Sequence, residues 1–154
     1  MVKELQTGTY YYWVYAKDVV CRIVDLKIRP LEISGQEILT ADRIGVRVNL
    51  MCTYKVVKPR IMIETIKNLE NQVYACVQLA IREYIGRYRL DELLEQKEEI
   101  SQFIFQRLRE AEEDYGIRFK AAGIKDVILP GEIREIMNTV LVAERRAQAN
   151  VITR

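Results

Sequence analysis

A chain of 154 residues, 49% hydrophobic and 30% charged, is long enough to bury one core and too short for two comfortable ones. Its 24 basic and 22 acidic side chains leave a net charge of +2, so no long-range field gathers DNA or an anionic membrane, and contact with either needs a local patch. The absence of histidine removes the commonest general base and transition-metal ligand, and the three cysteines form no CxxC pair, which excludes a zinc knuckle and a disulfide framework and fits a reducing compartment.

The chain begins with an aromatic run. In TYYYWVYAKD, Thr9 to Asp18, five aromatics fill the six positions from Tyr10 to Tyr15. As a strand, this run sets Tyr10, Tyr12 and Val14 on one side and Tyr11, Trp13 and Tyr15 on the other, so at least one set has to meet something besides the strand's own core. One outcome is a strand sandwiched between sheet and helices, with its phenols hydrogen-bonded at the rim. The other is a site apolar at one end and wet at the other, such as a membrane-interfacial belt or a subunit contact.

A reversal at Lys17-Asp18 leads into VVCRIVDLKI, Val19 to Ile28, which is rich in β-branched residues and apolar on both parities at its start, as a central strand is. Ser34-Gly35 marks a second reversal. From Arg43 to Val56 the alternation is nearly perfect: Ile44, Val46, Val48, Leu50, Cys52, Tyr54 and Val56 point one way, with Arg43, Arg47, Asn49, Thr53 and Lys55 between them. That is a long strand with one wet face.

Beyond Lys58 the period becomes helical, with Pro59 suited to a first-turn position. Asn68 is placed to cap a helix whose stripe is Leu69, Val73, Cys76, Val77, Ala80, Ile81, Tyr84 and Ile85, closing near Gly86. A short helix begins near Asp91, and a further stripe through Ile100, Phe103, Ile104, Leu108 and Ala111 ends at Tyr115-Gly116, where glycine takes a left-handed conformation. In GIRFKAAGIKDVIL, Gly116 to Leu129, Ile117, Phe119 and Ala121 alternate inward while Ile124 and Ile128 continue on the opposite parity, which a bulge near Ala122-Gly123 reconciles.

Pro130 opens a last helix in which Ile133, Met137, Val140, Glu144, Ala147 and Val151 follow a 4-3-4-3-4 spacing, that of a heptad seam. Glu144 sits awkwardly on it and either sets register or needs a cationic partner. The pattern reaches Arg154 unfinished, so the expectation is a helix that continues in a longer protein.

The chemistry-bearing groups read as structure. Glu98-Glu99 and Glu112-Glu113-Asp114 lack the spacing of a cation loop and are solvated helix faces. Arg82, Tyr84, Arg87, Tyr88 and Arg89 resemble a nucleic-acid surface but resolve into core tyrosine and exposed arginine. Cys21, Cys52 and Cys76 all occupy apolar positions, as small buried hydrophobes. Ser34 and Ser101 have no histidine to activate them, Lys17 and Lys125 have no evident cause for a lowered pKa, and no glycine-rich phosphate loop is present. No cofactor, metal site or catalysis is expected. No run approaches the ~18 apolar residues of a membrane span, and no signal-peptide pattern follows Met1.

Three segments together, IVDLKI (Ile23 to Ile28), LEISGQEILTADRIGVRVN (Leu31 to Asn49) and GIKDVILPGEIREIM (Gly123 to Met137), followed by AERRAQA (Ala143 to Ala149), resemble the SPFH family, also called Band 7 or prohibitin-homology domains, and within it stomatins and slipins. The resemblance covers nearly the whole chain. It implies an α+β fold, a curved antiparallel β-sheet packed against helices, with residues 1–130 as the core domain and 131–154 as the start of a C-terminal helix leading into a coiled coil.

It further implies a non-enzymatic, self-associating scaffold, membrane-associated on the cytoplasmic side, that organises membrane microdomains or regulates membrane proteins. The partners implied are other copies of the chain, a membrane-bound serine protease or another membrane protein, and a lipid surface, with no nucleic acid. Ile133, Met137, Val140, Glu144, Ala147 and Val151 then become oligomerisation residues, and Tyr11, Trp13 and Tyr15 a membrane- or partner-facing aromatic strand. The alternative is a module that docks one client, a protease or channel, without large-scale assembly. The sequence departs from the family pattern in showing no hydrophobic N-terminal anchor like that of stomatins, which is either trimmed here or absent in nature, and in carrying Lys58-Pro59 where many relatives have Asp-Pro.

Overall fold

The segment with the cleanest alternation becomes the middle of the sheet. In the computed structural model, which describes residues 3–13, 15 and 18–152, strand β1 (Arg29–Leu39) pairs antiparallel with β2 (Gly45–Val56), and β2 with β3 (Ile117–Ile128), in the order β1-β2-β3. On β2 every second residue, Val46, Val48, Leu50, Cys52, Tyr54 and Val56, is buried. The other face stays wet and carries exposed ion pairs, Arg47 to Glu37 at 2.7 Å and Lys125 to Glu32 at 2.9 Å.

Helix α1 (Pro59–Thr65) opens on its proline. Helix α2 (Leu69–Ile85) is capped by the Asn68 side chain, which accepts from the Asn71 N–H at 3.1 Å. It buries Val73, Val77, Ala80, Ile81, Tyr84 and Ile85. Helix α3 (Leu90–Glu95) leads to α4 (Lys97–Arg109), which buries Ile100, Ile104 and Leu108 and lies against β3 and α2. A single turn, α5 (Glu112–Tyr115), closes the stripe at Gly116, whose φ of 65° is the predicted left-handed terminus. Finally, α6 (Gly131–Ile152) runs 22 residues.

Several expectations are corrected. Among the described residues the sheet has three strands, and none comes from the first 28 positions: Tyr10–Trp13, Tyr15 and 18–28 are irregular backbone. Strand propensity needs a neighbour to supply the hydrogen-bond ladder. β2 already has one on each side, and the early residues join neither β1 nor β3. Val14 and Lys17, the latter half of the expected first reversal, lie outside the described residues.

Ser34-Gly35 is a bulge within β1 and not a reversal. The register passes from Ile33 opposite Leu50 to Gln36 opposite Val48, so two residues oppose Asn49 alone, whose side-chain oxygen accepts from the Gly35 N–H at 2.7 Å. On β3 the single bulge expected near Ala122-Gly123 is replaced by two irregularities that bracket it, with Lys120 and Lys125 left out of the pairing register. Parity therefore switches twice: Ile124 is half-buried as expected, but Val127 turns inward where Ile128 was expected, and Ile128 is exposed.

The true reversal between β1 and β2 is the TADRI loop. Arg43 adopts a φ of 62°, the Ala41 N–H donates to the Tyr88 carbonyl at 2.8 Å, and the Leu90 N–H donates to Asp42 Oδ1 at 3.3 Å. The buried Thr40 hydroxyl donates to the same carboxylate, and this bond, first, holds the Asp42 pKa below the ordinary carboxylate value. The turn thus ties the sheet to the junction of α2 and α3.

Two outcomes follow. A Cβ at Gly116 would stand 2.5 Å from the Lys58 carbonyl oxygen in a left-handed backbone, so Gly116→Ala should lower unfolding free energy by about 3 kcal/mol in urea titration. A folded-state pKa that is depressed stabilises the fold above the unfolded carboxylate's pKa, and that contribution is lost as pH falls through the folded value. The melting temperature of Asp42→Asn should therefore fall less steeply than wild type as pH drops below about 4.

Candidate interaction surfaces

The titratable groups show why the interior is chemically quiet. Burial pushes the Cys52 thiol up to about 11, with the neighbouring Cys76 thiol adding to the effect, and burial likewise raises Cys76. Both stay protonated at neutral pH, so neither is a nucleophile. Desolvation, followed by the 2.8 Å contact with the Tyr88 hydroxyl, pushes Tyr84 up to about 12. The Glu32 carboxylate raises Lys125, the reverse of what an amine nucleophile needs.

Ser101 donates to the Lys97 carbonyl at 2.8 Å and accepts from the Ile124 N–H at 3.2 Å, fastening α4 to β3. Tyr84 is buried and Tyr88 half-buried, while Arg82, Arg87 and Arg89 are exposed, as core tyrosine and solvated arginine. Of the acidic runs, Glu98, Glu99, Glu113 and Asp114 are exposed, and Glu112 accepts from the Phe119 N–H at 2.8 Å. The described residues hold no group of three or more His, Cys, Asp or Glu placed to share a metal ion. A groove of about 250 Å³ between α2 and the α4–α5 end, lined by Ala75, Cys76, Leu79 and Ala80, is bounded by Arg107, which is already paired with Glu83 and Glu110.

Two surfaces stand apart from this quiet interior. The first is α6. At 1.5 Å per residue its 22 residues extend about 33 Å. Ile133 and Met137 are half-buried against the domain core, whereas Val140, Glu144, Ala147 and Val151 are exposed. The six residues of the 4-3-4-3-4 spacing therefore divide, two rooting the helix and four lying along its free length.

The spacing overlooked Ile136, 63% exposed, and with it Leu141 and Val142. At 100° per residue, Ile136, Val140, Ala143, Ala147 and Val151 fall within about 80° of arc, an uncharged stripe that leaves Glu144 at its edge. Reading every residue against both possible phases would have found it.

The second surface is the N-terminal segment. Tyr11, Trp13 and Tyr15 are 94%, 83% and 101% exposed, and Tyr10 and Tyr12 more than half. The aromatic strand expected here, and the version of it sandwiched between sheet and helices, are both corrected: the backbone is irregular and the rings reach solvent on both parities. The Tyr10 hydroxyl donates to the Gln6 carbonyl at 2.7 Å. Apolar exposure continues through Val20, Ile23, Leu26 and Ile28, with Val24 packing partly on the core. Cys21 is exposed too, unlike the buried hydrophobe expected of it. No helix among the described residues is long and apolar enough to cross a membrane.

Relatives place the chain. A stomatin homologue from Pyrococcus horikoshii is 33% identical over 129 residues, 84% of this chain and 48% of that protein. Mouse stomatin is 30% identical over 129 residues, 84% of this chain and 45% of its own length. Mechanosensory protein 2 of Caenorhabditis elegans is 30% identical over 131 residues, 85% of this chain and 27% of its own. The chain thus spans half or less of the length of each of these three. The sequence profile described as SPFH domain / Band 7 family matches residues 2–154, and with a three-stranded antiparallel sheet packed against helices beneath that match, the chain belongs to the SPFH domain / Band 7 family.

Proposed function

We propose that this chain is a self-associating, non-enzymatic scaffold domain of the stomatin type, working at the cytoplasmic side of a membrane to organise its surface or regulate neighbouring membrane proteins. In this reading residues 1–130 form the core domain and 131–154 the start of a coiled-coil stalk. Membership of the SPFH domain / Band 7 family and similarity to stomatins support the membrane setting. The observation that carries self-association is α6, whose free length leaves Ile136, Val140 and Val151 at least half exposed.

A helix that exposes large aliphatic residues along one stripe gains stability by packing that stripe on another helix. Burying a Val or Ile side chain contributes about 1.5–3 kcal/mol, so a few such contacts outweigh the cost of ordering them only when several copies act together. Once one contact forms, the next is intramolecular, and avidity rises without any contact being tight. Small, repeated gains of this kind suit a membrane array that has to assemble and disperse. Ile133 and Met137 take part by fixing the stalk to its domain.

Light scattering over a range of concentrations tests the reading. The chain should grow in mass with concentration. Ile136→Ser with Val140→Ser should shift that rise to at least tenfold higher concentration at unchanged melting temperature, since both side chains are solvent-facing in the isolated domain. A mass that stays monomeric throughout would overturn the proposal.

A further inference from the structure

We propose that the cationic end of the sheet's wet face, Lys55, Arg118 and Lys120, docks the acidic stretch Asp91 to Glu99 of a second copy. This adds a contact to the self-association proposed above and rests on that reading, but it uses a different surface from α6.

Strand register makes the first argument. Along the wet face, charges nearer the Gly45 end of β2 are matched, Arg47 with Glu37 and Lys125 with Glu32. Towards the Val56 end the carboxylates stop. Thr53 stands between Pro30 and Ala121, and the next pair on this face sets Lys55 directly opposite Arg118. Like charges facing each other across an antiparallel pair are destabilising, so the sheet carries here an arrangement that its own stability disfavours. Lys120, the extra residue of the adjoining irregularity, is exposed as well. None of the ion pairs among the described residues includes Lys55, Arg118 or Lys120.

The second argument is that the chain itself carries a complement to this surface. From Asp91 to Glu99 five carboxylates, Asp91, Glu92, Glu95, Glu98 and Glu99, stand against the single Lys97, and all six side chains are exposed. Arg89 approaches Asp91 at 3.9 Å, a loose pair that leaves most of this charge unmatched. The acids nearer α5 are less available, since Glu112 accepts from the Phe119 N–H and Glu110 pairs with Arg107.

Position is the third. The Leu90 N–H donates to Asp42 Oδ1 in the turn that precedes β2, so the acidic stretch begins at the end of the sheet far from Lys55. Ser101, just beyond the stretch, meets Ile124 opposite Leu50. Lys55 lies five positions farther along β2, about 16 Å at 3.3 Å per residue. Screening at physiological salt acts over about 8 Å, so the two patches do little to neutralise each other within one copy. A second copy brings them together. Because the patches are unlike, such a contact leaves one of them free on each copy and can pass from copy to copy. Exposed ion pairs are individually weak, so this contact works through the avidity that α6 supplies.

A charge exchange tests the proposal, in a background of Ile136→Ser with Val140→Ser so that α6 does not contribute. One variant adds Lys55→Glu with Lys120→Glu, and the other adds Glu95→Lys with Glu98→Lys. Each alone carries two patches of the same sign and should sediment as a monomer at concentrations where the background chain associates. An equimolar mixture restores complementarity and should associate at least tenfold more tightly than either variant alone. That gain should fade as salt rises from about 0.05 M to 0.5 M. Melting temperatures should not fall, since Lys55→Glu sets opposite charges across from each other at Arg118.

A mixture that stays monomeric overturns the proposal. So does undiminished association of the Glu95→Lys, Glu98→Lys variant alone, which would give the basic face another occupant. If the mixture associates while Ile136→Ser with Val140→Ser leaves the mass of the wild-type chain unchanged, the sheet contact stands and the α6 reading falls.

Discussion

The structure depends on one constraint: β2 must be paired along both edges and covered on one face. Its backbone N–H and C=O groups can be satisfied only by β1 on one side and β3 on the other, although β1 and β3 are separated by four helices and the single turn α5. Closing that long excursion is entropically costly, and the row from Val46 to Val56 offsets the cost by removing six side chains from water at once. Helices α2 and α4 supply the cover. The Thr40–Asp42 turn at one end of the sheet and Gly116 at the other fasten the excursion where it leaves and rejoins the sheet, and Ser101 and Glu112 tie it to β3 in between.

That dependence explains how the molecule divides into a quiet interior and two assertive surfaces. Polar side chains near the core are committed to architecture: Gln36 bonds Tyr74 and accepts from Gln78, Gln72 bonds Tyr115, and among the described residues no buried side-chain oxygen or nitrogen lacks a partner. Exposed ion pairs such as Arg87 with Glu83 each contribute well under 1 kcal/mol and decorate the domain more than they hold it. Large exposed apolar side chains gather in the aromatic segment and along the free length of α6.

The sequence was most legible where one physical period dominated. The alternation of β2, the Asn68 cap and stripe of α2, the proline at the start of α1 and the left-handed Gly116 are all local signals, and each appears where its residues place it. Legibility failed where a local signal required a distant partner. Val19–Ile28 has the β-branched content of a central strand but no free edge joins it, and Tyr10–Tyr15 has strand-like residues without a ladder. Ser34-Gly35 looks like a turn because glycine supplies a positive φ, and a bulge uses that same freedom; the presence of Asn49 opposite decides between them. The two irregularities on β3 were collapsed into one because a parity change reveals an odd number of extra residues and hides an even one. On α6 the 4-3-4-3-4 spacing did not distinguish the residues that the domain itself claims, Ile133 and Met137, from the exposed remainder of the row.

The half-burial of Ile133 and Met137 makes the root of α6 a bearing as well as an anchor. A helix about 33 Å long magnifies any error at its base: a swing of about 10° carries the far end by roughly 6 Å, slightly more than one helical turn. Two side chains wedged at the base therefore govern where Val151 arrives and, in the assembly proposed above, would decide whether stripes on neighbouring copies meet in step or a turn apart. Small changes in the volume of either residue would act on the curvature and spacing of an array at a distance, in the way that the cut of a keystone sets the span of an arch.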